Sequence, residues 1–152
     1  MTLLGKMVRR GPADLLLAAE ALALLVFFRV CLAAVPVRRI IGTITRGHAE
    51  MDGREAEAKA SADGGASSAI ARRVRWAVSA AARHSVVEFV CFPQTLAGYT
   101  MLRRRGVAST MVYGVARSPE GELQAHTWLT VGDRTVLGGE EAAEFTAVER
   151  WT

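Results

Sequence analysis

Cys91 and His126 are the two residues whose types and settings suit nucleophilic chemistry. Cys91 lies in the run Val90-Cys91-Phe92-Pro93-Gln94-Thr95-Leu96-Ala97, where Pro93 has the fixed φ that suits the first turn of a helix. The run continues through Met101 and Leu102 to Arg103-Arg104-Arg105 and Gly106, which predicts cations in the last turn and a glycine stop. A thiol at the mouth of such a helix faces the positive end of the macrodipole, a setting in which cysteine serves as a nucleophile. His126 stands in Ala125-His126-Thr127-Trp128-Leu129-Thr130-Val131, an alternating run that predicts a strand with His126, Trp128 and Thr130 on one face. An imidazole within reach of the thiol can take its proton and later protonate a leaving amine, as acyl transfer requires. The competing reading is structural: a cysteine in apolar surroundings is usually a small buried hydrophobe, and Trp128 serves equally well in a core.

The two residues are far apart in sequence, so elements must bring them together. The chain has 152 residues, room for one domain with a core and an appendage, and a hydrophobic content of 51% marks it as globular. Its net charge of +4 comes from arginines grouped as Arg38-Arg39, Arg72-Arg73-Arg75 and Arg103-Arg104-Arg105. These sit near helix ends and on helix faces without interleaved aromatics, which argues against a nucleic-acid partner. Cys31 and Cys91 form no Cys-x-x-Cys or His/Cys ligand spacing, so a zinc site and a bound cofactor have no support, and a reducing cytoplasm is the default location.

In chain order, a short basic lead precedes Pro12 and Asp14, which open a long apolar helix through Val35. Glu20 and Arg29 interrupt it. Both would be costly in lipid, so packing on the domain or on a partner is favoured over a membrane span, with peripheral membrane association the less favoured reading. Pro36 ends the helix, and Val37 to Ile41 with Ile44 suggests a short second one. Residues 47–65, rich in Gly, Ala and charge, read as a linker, with His48 at its edge. Ser67 or Ser68 then caps a helix carrying Ile70, Val74, Ala77, Val78 and Ala81 at helical spacing and ending near His84. Val86 to Val90 approach Cys91 in extended form, with Glu88 exposed. After Gly106 the pattern alternates: a strand over 107–117, a turn at Ser118-Pro119-Glu120-Gly121, a strand over 122–131, a tight turn at Gly132-Asp133 and a third strand over 134–137. The expectation is an α+β fold with helices packed on a small antiparallel sheet. Its parts are an N-terminal helical extension over 1–46, the linker, and a catalytic domain over 66–152.

Cys91-Phe92-Pro93-Gln94-Thr95-Leu96-Ala97, Leu102-Arg103-Arg104-Arg105-Gly106-Val107, Tyr113-Gly114-Val115-Ala116-Arg117, Ala125-His126-Thr127-Trp128-Leu129 and Val136-Leu137-Gly138-Gly139 follow one another in an order and spacing that resembles a known family. It is that of the transglutaminase-like cysteine peptidases of lasso peptide biosynthesis, which cut the leader from the precursor. The resemblance implies a papain and transglutaminase type of core with Cys91 as nucleophile and His126 as general base and acid. It also implies a third, acidic member on the strand after the histidine, a place held here by Gly138. Regular pairing from the Gly132-Asp133 turn would set Gly139 opposite His126, leaving Asp133 remote and Glu140 or Glu141 to reach back, with Glu140 the chosen candidate and a backbone carbonyl or Gln124 as alternatives. The Cys91 N–H is the simplest oxyanion donor, with Gln94 and Trp128 as further candidates for the oxyanion site or substrate groove. The implied partners are the precursor peptide, a separate leader-binding protein and an ATP-dependent macrolactam cyclase, with ATP used by the cyclase.

Overall fold

The computed structural model describes residues 11–36, 39–40, 42–43, 64–85 and 91–152. The basic lead, all but the last two residues of the expected linker with His48, and the approach at 86–90 with Glu88 lie outside the described residues.

Pro12 occupies the first position of α1 (Pro12–Ala34), where its missing N–H costs nothing. The Val35 N–H closes the far end on the Cys31 carbonyl, and Pro36 cannot continue the ladder. Leu17, Ala21, Leu25 and Phe28 recur at helical spacing as the buried stripe of α1. They join the core against α2 (Gly64–His84) and α3 (Cys91–Arg103). Burying Leu25 and Phe28 contributes roughly 1.5–3 kcal/mol each. The outer face of α1 is apolar as well, so the helix is long and apolar enough to cross a membrane while one stripe is committed to the domain.

Helix α2 buries Val74, Ala77, Val78 and Ala81 as expected from spacing, while Ile70 is only half-buried and Ala71 is buried in its stead. It begins before Ser67 and Ser68, which are therefore helical residues rather than caps; the Ser68 hydroxyl accepts from Arg72 and Arg134. Helix α3 is the central element. Leu96, Ala97, Tyr99, Met101 and Leu102 are buried nearly all round it, because α1 and α2 cover one side and the sheet the other. Its stop is built as expected: Gly106 has φ 69°, its N–H bonds the Arg103 carbonyl, and the Val107 N–H bonds the Leu102 carbonyl, a Schellman closure.

The sheet is antiparallel in the order β3-β2-β1-β4, from β1 (Thr110–Arg117), β2 (Leu123–Val131), β3 (Arg134–Leu137) and β4 (Thr146–Trp151). The first three form the expected meander. The fourth was not expected: after a 3-10 turn at Ala142–Glu144 the chain returns to pair with β1 on its open edge. Three helices against this sheet make an α+β fold.

Two ion-pair sets tie α1 to the rest. Arg73 holds Asp14 at 2.9 Å, and Arg105 and Arg104 hold Glu20 at 2.6 and 3.3 Å. The Arg105 hydrogen bond, with smaller help from Arg104, keeps the Glu20 carboxyl below its ordinary pKa despite partial burial. A carboxyl lowered in the folded state stabilises above its unfolded pKa, and that contribution disappears as pH falls through the folded value. Glu20→Gln should therefore cost about 1–2 kcal/mol in urea unfolding at neutral pH. The difference from wild type should vanish in acid below the carboxylate range; an equal gap at both pH values would place the loss elsewhere.

Candidate active site

Cys91 is the first residue of α3, and its placement follows from how that helix is pinned. One turn on, the buried Thr95 hydroxyl lies 2.9 Å from the Cys91 carbonyl, to which it donates. The same hydroxyl is 3.2 Å from Thr127 Oγ1 and 3.3 Å from the Thr127 carbonyl on β2. Thr127 is the chain neighbour of His126. The first turn of the cysteine helix is thus stitched to the strand that carries the imidazole. Neither threonine was singled out from sequence; a hydroxyl at the fourth residue after the cysteine and another beside the histidine were the available signal.

His126 is buried at 7% exposure and pairs with Gly114 across β1 and β2. Val131 opposite Arg134 is the expected start of the β2–β3 hairpin, but Thr130 faces Thr135 whereas Leu129 faces Leu137. Val136 is therefore an extra residue in β3. This bulge moves the register by one, so the regular pairing that would have set Gly139 opposite His126 is not followed. The strand stops at Leu137, Gly138 turns with φ 69°, and its carbonyl lies 2.9 Å from His126 Nε2.

A carbonyl only accepts, so Nε2 carries the hydrogen and Nδ1 of the neutral ring carries the lone pair. Nδ1 lies 3.6 Å from Glu141 Oε2, a carboxylate that is 68% exposed. Glu140, the candidate chosen from sequence, lines an open cavity together with His126, while the polar contacts on the ring come from Gly138 and Glu141. The position where the resemblance puts an acid is nonetheless aimed at the ring. A Cβ on Gly138 would lie 3.1 Å from Nε2, and in glycine the backbone itself takes that place.

Trp128 stacks beside the imidazole at 6.1 Å with planes 20° apart, and Phe145 approaches it at 5.1 Å. Trp128 in turn lies across Gly114, where a Cβ would meet its ring at 2.7 Å. It walls the histidine and stands outside the lining of the cavity that Cys91 and His126 share.

Cys91 and His126 both line one open cavity of about 840 Å³. Gln94 and Thr95 continue its α3 wall, Gly138 to Glu141 form a lip with two carboxylates, and Arg75 and Arg83 face in from α2. Both arginines are exposed, and Arg83 carries no signal in the sequence that would single it out. Among the described residues, the thiol and the ring share this space without a hydrogen bond between them. Both cysteines are free thiols.

Three helices packed on a four-stranded antiparallel sheet agree with a transglutaminase-like domain. The chain belongs to the transglutaminase-like superfamily, whose model matches residues 22–150. Members of that superfamily are typically catalytic, as peptidases or transglutaminases. No curated protein and no solved structure matches the chain.

Gly138 is the position where backbone and ring depend on each other most. A Cβ there would stand 2.6 Å from the Thr127 carbonyl, in addition to the left-handed φ. Gly106 has the same φ with open space around it. Gly138→Ala should thus lose roughly 2–4 kcal/mol and Gly106→Ala about 1 kcal/mol in urea unfolding. Equal losses would mean that the close approach at Gly138 is not what the glycine serves.

Proposed function

We propose that this protein is a cysteine peptidase that removes the leader from a lasso peptide precursor, with Cys91 as nucleophile and His126 as general base and acid. The observation that carries the reading is the sharing of one cavity by the Cys91 thiol and a histidine whose Nε2 is held by the Gly138 carbonyl, within a transglutaminase-like fold. The motif series from Cys91 to Gly139, which resembles the leader peptidases of that pathway, supplies the substrate class.

In this mechanism Nδ1, the ring atom bearing the lone pair, takes the Cys91 proton. Nε2 stays on Gly138, which fixes the tautomer and the plane of the ring. With Nε2 so anchored, the Nδ1–Sγ contact closes to hydrogen-bond distance in the substrate complex, a tightening that unliganded sites commonly require. The thiolate attacks the carbonyl of the last leader residue and forms a tetrahedral oxyanion. The Cys91 N–H, in the first turn of α3, is the donor that receives it, with Gln94 on the same wall. Collapse breaks the C–N bond as His126 protonates the departing core amine, leaving a thioester. Water, deprotonated by the same imidazole, hydrolyses it and frees the leader and the thiol.

No bound cofactor is required for these steps. The freed core N-terminus would be closed onto a side-chain carboxylate by a separate ATP-dependent macrolactam cyclase, after a separate leader-binding protein has delivered the precursor. Cationic Arg75 and Arg83 opposite anionic Glu140 and Glu141 give the cavity two walls of opposite sign, suited to an extended peptide carrying both charges.

Cys91→Ala should abolish precursor processing by the purified proteins, a loss of about a thousandfold or more, and mass spectrometry of the wild-type reaction should show free leader. Processing that survives Cys91→Ala would overturn the nucleophile, and an added mass on the acyl product would identify an acyl transferase instead. Glu140→Gln and Glu141→Gln should each lower the rate no more than a few-fold, because the ring is oriented by a backbone carbonyl and Glu141 is well exposed. A hundredfold loss in either would assign the orienting role to that carboxylate.

A further inference from the structure

We infer that the outward face of α1 rests on an anionic lipid bilayer, with the helix axis in the plane of the membrane surface. The face is apolar without interruption. Leu16, Val30, Phe27, Val26, Leu15 and Leu22 are 72, 62, 57, 48, 45 and 41% exposed, large side chains that a water-facing helix would not carry together. At 100° per residue they and the exposed Ala19, Ala23, Ala33 and Ala34 fill an arc of about 140° that contains no polar side chain.

The charges around that arc have one sign left over. Both acids of α1 are turned to the domain, Asp14 onto Arg73 and Glu20 onto Arg104 and Arg105. Arg29 at the border of the arc is exposed, and so is Arg39 beyond the helix. Over residues 1–49 the sequence holds seven lysines and arginines against those two acids. An apolar face bordered by exposed Arg29, on an N-terminal sequence with an excess of cations, is complementary to acyl chains beneath anionic headgroups. A second copy of the chain fits less well, since pairing these faces would bring cations together with no free carboxylate on α1 to meet them.

The helix cannot span while it remains docked. Leu17, Ala21, Leu25 and Phe28 are held in the core on the opposite side, and a span would also carry Glu20 and Arg29 into hydrocarbon. Lying in the interface, about 5–10 Å deep, buries the outer arc and leaves the inner stripe in place.

The test is flotation of the full chain with vesicles of phosphatidylcholine alone and of phosphatidylcholine mixed with phosphatidylglycerol, with light scattering on the same samples without lipid. The expected result is a monomer that floats with the phosphatidylglycerol vesicles, less so as salt is raised, and weakly with phosphatidylcholine alone. Leu16→Ser combined with Phe27→Ser, both at exposed positions, should weaken flotation tenfold or more while the melting curve is kept. Leu123→Ser, 70% exposed on β2, should leave flotation unchanged. Failure of the wild type to float with anionic vesicles, or wild-type flotation by the double variant, would overturn the inference. So would equal binding to both vesicle types, or a dimer in solution that the double variant dissolves, which would give this face to a second copy.

Discussion

The approach of α3 to β2 sets the positions of everything else at the site. Gly98 makes it possible: a Cβ at that residue would run into Leu137 Cδ1 and come within 3.0 Å of Leu129 Cδ2. With glycine there, Leu129 and Leu137, both buried and paired across β2 and β3, pack directly on the helix backbone. One turn earlier Thr95 meets Thr127, so the helix is held by an apolar contact at its middle and a hydroxyl pair near its start. The cysteine stands at the end of that lever. Its distance from the sheet is fixed by two side chains that take no part in the proposed chemistry, and buried hydroxyls that satisfy each other are costly to separate.

The histidine is set by a different device. A regular β3 would have run on beside β2 and covered the ring's edge with another strand. The extra residue at Val136 and the left-handed Gly138 end the strand at Leu137 instead, and the chain crosses the edge of β2 in front of His126. The same turn exposes the ring to the cavity, offers it a carbonyl, and sends the chain through Ala142–Glu144 into β4. Phe145, at the end of that path, and Trp128 close the ring from behind. A single irregularity in the ladder thereby does what a longer loop would do with less definition.

These two devices mark the boundary of what the amino-acid sequence discloses. Helices α1 and α3, the α2 stripe and the first three strands carry periodic or punctuated patterns, and Gly106, Gly121 and Gly132 all stand at positive φ where turns were expected. The α+β class and the pairing of Val131 with Arg134 follow from those signals. The bulge at Val136 does not, because Thr-Val-Leu reads as regular strand and the extra residue appears through the packing of Leu137 under Gly98. Strand β4 was missed for a related reason: Thr-Ala-Val-Glu-Arg-Trp is almost wholly exposed on an edge, so it lacks the half-buried alternation that identifies a strand. Glu140 and Glu141 were both in reach along the chain. Which of them comes within 3.6 Å of the ring depends on the turn at Gly138, a tertiary feature.

The substitution of a carbonyl for a carboxylate beside the imidazole has a physical consequence for the proposed reaction. Orientation and tautomer are preserved, since either group accepts the Nε2 hydrogen. Charge is not: a carboxylate would stabilise the imidazolium that forms when the thiol gives up its proton, and an amide dipole does so less. Glu141 is near enough to contribute, but at 68% exposure its field is largely screened by water. A cysteine nucleophile tolerates such a site better than a serine would, because a thiolate is strongly nucleophilic without a base on it throughout. A site that fixes its histidine with backbone alone is therefore a site that suits sulfur, and Cys91 at the mouth of the central helix is where this fold supplies it.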